Sequence, residues 1–158
     1  MNKQVSITRR LEFDSGHRIP NHGGQCRNIH GHRYRLDLTL SGEVLRSAGA
    51  SDEGMILDFG DIKALANQHL VDKWDHAFLI HRGDTALLNF LQSMEAHKTV
   101  VLDAIPTVEN LAQIAFDILA PVFKDCFGHQ LQLTRLVLFE TPNCWAEVSA
   151  AFSLPAQD

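Results

Sequence analysis

Between Phe13 and His32 the chain reads FDSGHRIPNHGGQCRNIHGH, a stretch that holds four of the nine histidines (His17, His22, His30, His32) and one of the three cysteines, Cys26. Only Gly31 separates His30 from His32. Side chains at i and i+2 of an extended strand leave the same face, so these two imidazoles can converge on one ion. A third nitrogen, from His17, has to arrive from a neighbouring strand. Three neutral imidazoles with a fourth position open form the donor set of a catalytic zinc, because the open place is where substrate or water is polarised. The competing reading is a set of core histidines bonded to backbone carbonyls. Cys26 also has two readings: a fourth ligand that closes the site, or a thiol standing off the metal as nucleophile or base.

Three further places carry chemistry. Asp75-His76 sets a carboxylate beside an imidazole, but neighbouring side chains on an extended segment diverge, so their joint use depends on the local backbone. Glu140 ends a run of apolar and β-branched residues on the parity of Leu136 and Leu138. A carboxylate on a partly buried row needs a partner, either a structural arginine or the N–H groups of a ligand. Glu109 falls where the first turn of a helix is expected, and the helix dipole alone accounts for it. His69, His81, His97 and His129, with His22, read as ordinary structural residues, and Cys126 and Cys144 as small packing residues.

These groups need a frame. Val5 to His17 alternates, with Val5, Ile7, Leu11, Phe13, Ser15 and His17 on one row, which predicts a half-buried strand ending at His17. Alternation resumes from His30 to Leu40 after the loop signal PNHGG, and the histidines again lie on the apolar row. A long-looped antiparallel pair would then set His17 beside His30 and His32. Asp58 reads as the N-cap of a helix from about Phe59 to Val71, and Asp84 to Ala96 as a shorter helix. Thr99 to Leu102 is β-rich. Thr107 caps a long amphipathic helix that Pro121 should kink or end. Two strands, about Gln130 to Thr141 and Cys144 to Phe152, close the chain around a Pro142-Asn143 turn. Helices segregated from strand pairs predict an α+β domain with an antiparallel sheet covered on one face.

The 158 residues fit a single domain, 1–158, and a chain of this size buries roughly 70% of its unfolded surface without needing disulfides. An odd number of cysteines at irregular spacing is no secreted framework. No apolar run is long enough for a bilayer, and MNKQVSITRRLEF enters alternation at once without a charged-then-apolar leader. The expectation is a cytoplasmic protein without a membrane partner. A net charge of −5 and a pI near 5.9 argue against nucleic acid, which leaves a small molecule or a protein partner.

Taken together and in order, FDSGHRI, CRNIHGH, ILDFGDIK, DHAFL, PTVENLA and FETPN resemble the 6-pyruvoyl- and 6-carboxy-tetrahydropterin synthase family over nearly the whole chain. The resemblance implies the tunnelling fold: an antiparallel four-stranded sheet with helices on one face, assembled edge to edge into an oligomeric barrel. The expected state is a homohexamer, a dimer of trimers with active sites at subunit interfaces. It further implies Zn2+ on His17, His30 and His32, with Cys26 as the catalytic cysteine assisted by Asp75 and His76. Glu140 corresponds to the pterin anchor, with Thr107 and Glu109 near the ring, and the implied substrate is a pterin triphosphate. The short gap between Cys26 and the HGH motif favours members that make the carboxy product for queuosine and other 7-deazaguanines. Pyruvoyl-forming members typically have a longer gap, and a group using glutamate in place of the cysteine is disfavoured by Cys26. A zinc-containing pterin-binding module without catalysis is the alternative outside the enzyme class.

Overall fold

The computed structural model describes residues 3–152, and its element order follows the sequence reading closely. Strands β1 (Val5–His17) and β2 (His30–Gly42) pair antiparallel along their full length. After a loop come α1 (Phe59–Ala66), a π-helical turn (Asn67–Val71) and α2, the single turn Asp72–Trp74. Then follow β3 (Ala77–His81), α3 (Thr85–Ser93), β4 (Thr99–Leu102), α4 (Val108–Phe127), β5 (Leu131–Thr141) and β6 (Cys144–Ser149). The expected four-stranded antiparallel unit is β1-β2-β5-β6. Two short parallel strands extend it beyond β1, giving the order β4-β3-β1-β2-β5-β6.

The alternating rows become the two faces of this sheet. Leu11, Phe13, Tyr34, Leu36, Leu38, Leu40, Leu136 and Leu138 face a core closed by Ile62, Ala66 and Leu70 of the first helical segment and by Leu111, Ala112, Ala115, Leu119 and Phe123 of α4. Asp58 caps α1 by accepting the Gly60 N–H at 2.6 Å, and Thr107 caps α4 by accepting that of Asn110 at 3.2 Å. Each cap satisfies a donor that the helix itself leaves free. The first helical segment runs through the π turn and past its expected end at Val71 to Trp74, and Leu70, Val71 and Trp74 are all buried. Short α3 packs with Phe78 and Ile80, which lie on the opposite parity of β3 from the core residues Ala77 and Leu79.

Further boundaries differ from expectation, and α3 stops at Ser93, short of Ala96. Pro121 does not end α4, which runs on to Phe127. Pro121 is exposed, so the carbonyl deprived of its partner sits on the solvent side, while fully buried Phe123 anchors the next turn to the core. The last strand stops at Ser149, short of Phe152, where its pairing with β5 runs out.

Gly16 and Gly31 face each other across β1 and β2, next to the His17–His30 pair. A Cβ added to Gly31 would lie 3.0 Å from the Ser15 backbone oxygen. Gly31→Ala is therefore expected to push the strands apart beside the His17–His30 pair. Overpacking of this kind costs about 1–3 kcal/mol. A lowered urea midpoint together with weaker metal binding is the expected result, and an unchanged midpoint would show that the strands yield freely.

Candidate functional site

The β1–β2 register makes His17 the partner of His30 and Ser15 the partner of His32. The three imidazole rings consequently meet, with centroids 4.6 Å (His17–His30), 5.1 Å (His17–His32) and 4.9 Å (His30–His32) apart. One donor nitrogen from each lies within 4.8 Å of the others, and no other such group of histidine, cysteine or carboxylate donors occurs among the described residues. His17 is 1% exposed, and the stacked pair of Phe13 and Tyr34 backs it.

Backbone carbonyls set the tautomers. His17 Nδ1–H donates to the Pro106 carbonyl at 2.8 Å, and His30 Nδ1–H to the Asn28 carbonyl at 2.6 Å. Each bond leaves the ring's Nε2 as a lone-pair donor, the orientation that metal-binding histidines require. Nε2 of His17 and Nε2 of His32 are both buried without a hydrogen-bond partner. Orphaned buried nitrogens are costly, and a cation shared between them removes the cost. The triad fits a metal ion.

Burial, opposed by the Pro106 carbonyl and reinforced by the other two imidazoles, lowers the His17 pKa from 6.5 to about 4. His32 is also lowered, chiefly by burial, although Glu140 pulls it upward. Both rings are thereby kept neutral and ready for a cation at neutral pH.

Glu140 reaches the triad from β5. Phe139 pairs with Trp145 and Thr141 with Cys144, so Glu140 is the extra residue of a β-bulge, a device that re-aims a side chain. Its carboxylate oxygens lie 3.9 Å from His17 Nε2 and 3.8 Å from His32 Nε2, and no arginine or lysine pairs with it among the described residues. Of the two partners that such a carboxylate requires, the structural arginine is absent.

Cys26 sits half-buried on a 3-10 turn, Gln25–Arg27, with its carbonyl accepting the Ile19 N–H at 2.8 Å. Its sulfur is not a member of the donor group formed by the histidines. Asp75 and His76 do act as a pair: Asp75 Oδ2 is 2.9 Å from His76 Nδ1. The backbone that allows this is left-handed, with φ of 57° at His76, which folds two neighbouring side chains together. The His76 N–H donates to the Asp14 carbonyl at 2.7 Å, and Asp75 Oδ1 accepts the Asp14 N–H at 2.9 Å. That backbone N–H, ahead of the His76 contact, holds the Asp75 carboxyl below its ordinary pKa. Among the described residues no hydrogen bond, ion pair or ring contact joins His76 to Cys26 or to the triad. Thr107 uses its hydroxyl as the α4 cap, and Glu109 is exposed in the first turn.

The sequence reading missed Pro106, Asn28 and Tyr34. Pro106 and Asn28 act through main-chain carbonyls, which carry no side-chain signature. Tyr34, whose hydroxyl lies 3.3 Å from His17 Nδ1, was in reach as the next member of the His30–His32 row.

A profile of the family described as 6-pyruvoyl tetrahydropterin synthase matches residues 6–151. The chain belongs to that family. A relative from Rickettsia bellii, named 6-carboxy-5,6,7,8-tetrahydropterin synthase, is 40% identical over 146 residues, covering 91% of this chain and 99% of its own. The Haemophilus influenzae protein of the same name is 29% identical, covering 89% and 96%. Among solved structures, an uncharacterized protein from Wolinella succinogenes superposes with a TM-score of 0.76 at 19% identity, over 95% of this chain and all of that one (100%). The Caenorhabditis elegans 6-pyruvoyl tetrahydropterin synthase gives 0.66 at 23% identity, over 94% and 97%. The fold is the family's tunnelling fold, and the family's enzymes process pterins.

The lowered His17 pKa gives the metal-free protein a defined acid response. Below 6.5 the unfolded chain takes up a proton that folded His17 refuses until about pH 4. Stability is thus complete above pH 6.5 and declines as pH falls toward 4, by roughly 3 kcal/mol at about 1.4 kcal/mol per pH unit. Urea unfolding of the metal-free protein across this range, compared with His17→Asn, reads it; identical slopes for the two proteins would remove His17 as the cause.

Proposed function

We propose that the protein converts 7,8-dihydroneopterin triphosphate to 6-carboxy-5,6,7,8-tetrahydropterin, releasing acetaldehyde and triphosphate, on the route to queuosine and other 7-deazapurines. The observation that carries this reading is the juxtaposition of the unpaired Glu140 carboxylate with the two buried, unpartnered Nε2 atoms of His17 and His32. One group matches the donor edge of a pterin and the other holds a cation beside it. The named relatives, aligned over nearly their whole length, support the carboxy product.

His17, His30 and His32 would hold zinc, whose three-nitrogen, open-position preference their donor set matches. Bound there, zinc supplies positive charge that makes the substrate's side-chain hydroxyls and adjoining C–H bonds easier to deprotonate. Glu140 accepts hydrogen bonds from the pterin 2-amino group and ring N–H, a two-pronged match that fixes the ring, with Thr107 and Glu109 at its edge. Cys26, as thiolate, takes the proton. His76 shuttles protons, its ring oriented by Asp75 and presented by the left-handed backbone. Loss of triphosphate, internal redox and cleavage of the side chain, the last step consuming one water whose oxygen enters the carboxylate, complete the conversion.

The distance between roles within one chain bears on assembly. His76 is exposed, with 77% of its side chain accessible, and does not meet Cys26 in its own subunit. Among the described residues the sheet also ends in two unpaired edges, β4 and β6, and Trp145 on β6 is 54% exposed. Edge-to-edge association into a homohexamer, with each active site at a subunit junction, accounts for these features.

Product analysis after incubation with dihydroneopterin triphosphate is the deciding experiment. Acetaldehyde with the carboxy pterin is expected; a pyruvoyl product without carbon loss would reassign the reaction, and no released triphosphate would leave a binding module. Cys26→Ala should retain stoichiometric zinc and lose about 100-fold or more in turnover. Zinc lost from that variant would make the cysteine a ligand. Glu140→Gln should weaken pterin binding about tenfold or more with the metal in place; unchanged pterin affinity would return this carboxylate to a structural role.

A further inference from the structure

We propose that a polar cavity beside the metal centre, between the Cys26 loop and the start of α3, is the subsite for the substrate's triphosphate, with Arg27 as its free cation. This rests on the function proposed above. The cavity holds about 510 Å3 and is lined by Arg18, Asn21, Arg27, Asn28, Thr85 and Ala86, among others.

Its place in the sheet matches the order of groups along the substrate. Reading across one end of the strands, Glu140 lies on β5, His30 and His32 on β2, and His17 on β1. Arg18 and the β3–α3 turn come next. Neighbouring strands are about 4.8 Å apart. A ring anchored at Glu140, with its side-chain hydroxyls at the triad, directs the terminal phosphate ester past β1 toward this cavity. Two short links tie the cavity wall to the metal centre. Arg18 directly follows His17, and the Asn28 carbonyl fixes His30.

The electrostatics favour an anion. Asp84 is buried, but its carboxylate is held in a two-pronged pair by Arg18, through Nε at 2.6 Å and through Nη2. That pair cancels the one negative charge on the wall. Being so engaged, Asp84 makes no capping hydrogen bond at the start of α3, although it occupies the N-cap position. The first-turn N–H groups of this nine-residue helix are therefore left for another acceptor. Arg27 donates one long bond, 3.3 Å, to the Gly23 carbonyl and has no carboxylate partner among the described residues. Arg27 and the open helix start converge on one cavity that the site's other chemistry does not use.

The test titrates inorganic triphosphate, and separately unphosphorylated dihydroneopterin, into the zinc-loaded protein by calorimetry. Arg27→Gln should weaken inorganic triphosphate binding about tenfold or more, the loss of a charge-assisted contact, and leave dihydroneopterin affinity unchanged. Ala86→Glu places a carboxylate in the first turn of α3, where the helix dipole favours it. It should keep or raise the melting temperature while also weakening triphosphate binding. Triphosphate affinity unchanged in both variants would overturn the subsite, as would a wild-type protein that binds dihydroneopterin but not inorganic triphosphate. In either case the proposed function would survive. Failure of the wild type to bind dihydroneopterin would instead overturn that function and this subsite with it.

Discussion

Thirteen residue pairs hold β1 against β2, from Val5 opposite Gly42 to His17 opposite His30, and the histidine triad exists only because this register is kept. A slip of one residue would turn every side chain of a strand to the other face. The buried row of Leu11, Phe13, Tyr34, Leu36 and Leu38 resists such a slip, because it would expose the core and bury Arg10, Glu12 and Asp37. The long apolar pairing thus acts as a ruler, and the histidines are its last marks. Hydrophobic burial some distance from the triad specifies the geometry of its three rings.

The second determinant is the backbone around the triad. Pro106 precedes the α4 cap, and its carbonyl points the His17 ring; Asn28 does the same for His30. The Asn110 side chain donates to the Ile105 carbonyl at 2.9 Å, so the loop bearing Pro106 is itself held by the first turn of α4. A helix cap and the triad histidine His17 are parts of one hydrogen-bonded unit. Glu140 depends likewise on a local irregularity, a single extra residue in β5 that interrupts the ladder and turns a carboxylate toward the imidazoles.

His76 illustrates a different economy. A histidine with positive φ is sterically disfavoured, and such conformations persist where surrounding bonds over-determine them. Here the Asp14 backbone donates to Asp75 and accepts from His76, while the Lys98 ammonium donates to the carbonyls of Asp72 and Asp75. The strained residue is presented outward, in contrast to His17, which is shut away.

Much of this was legible in the residue pattern. Alternation placed both histidine-bearing strands and put His17, His30 and His32 on their core-facing rows, because a period of two is a property of the extended backbone itself. Caps at Asp58 and Thr107 were readable for a similar local reason: their side chains bond to donors two or three residues away. What only the tertiary structure decided were contacts between segments distant in the chain. These include the parallel addition of β3 to β1, the Pro106 carbonyl on His17, and Glu140 without an arginine. The passage of α4 through Pro121 belongs with them, since burial of Phe123 outweighed a local preference. Local rules speak of which face a side chain leaves; which partner awaits it there depends on how the whole chain packs.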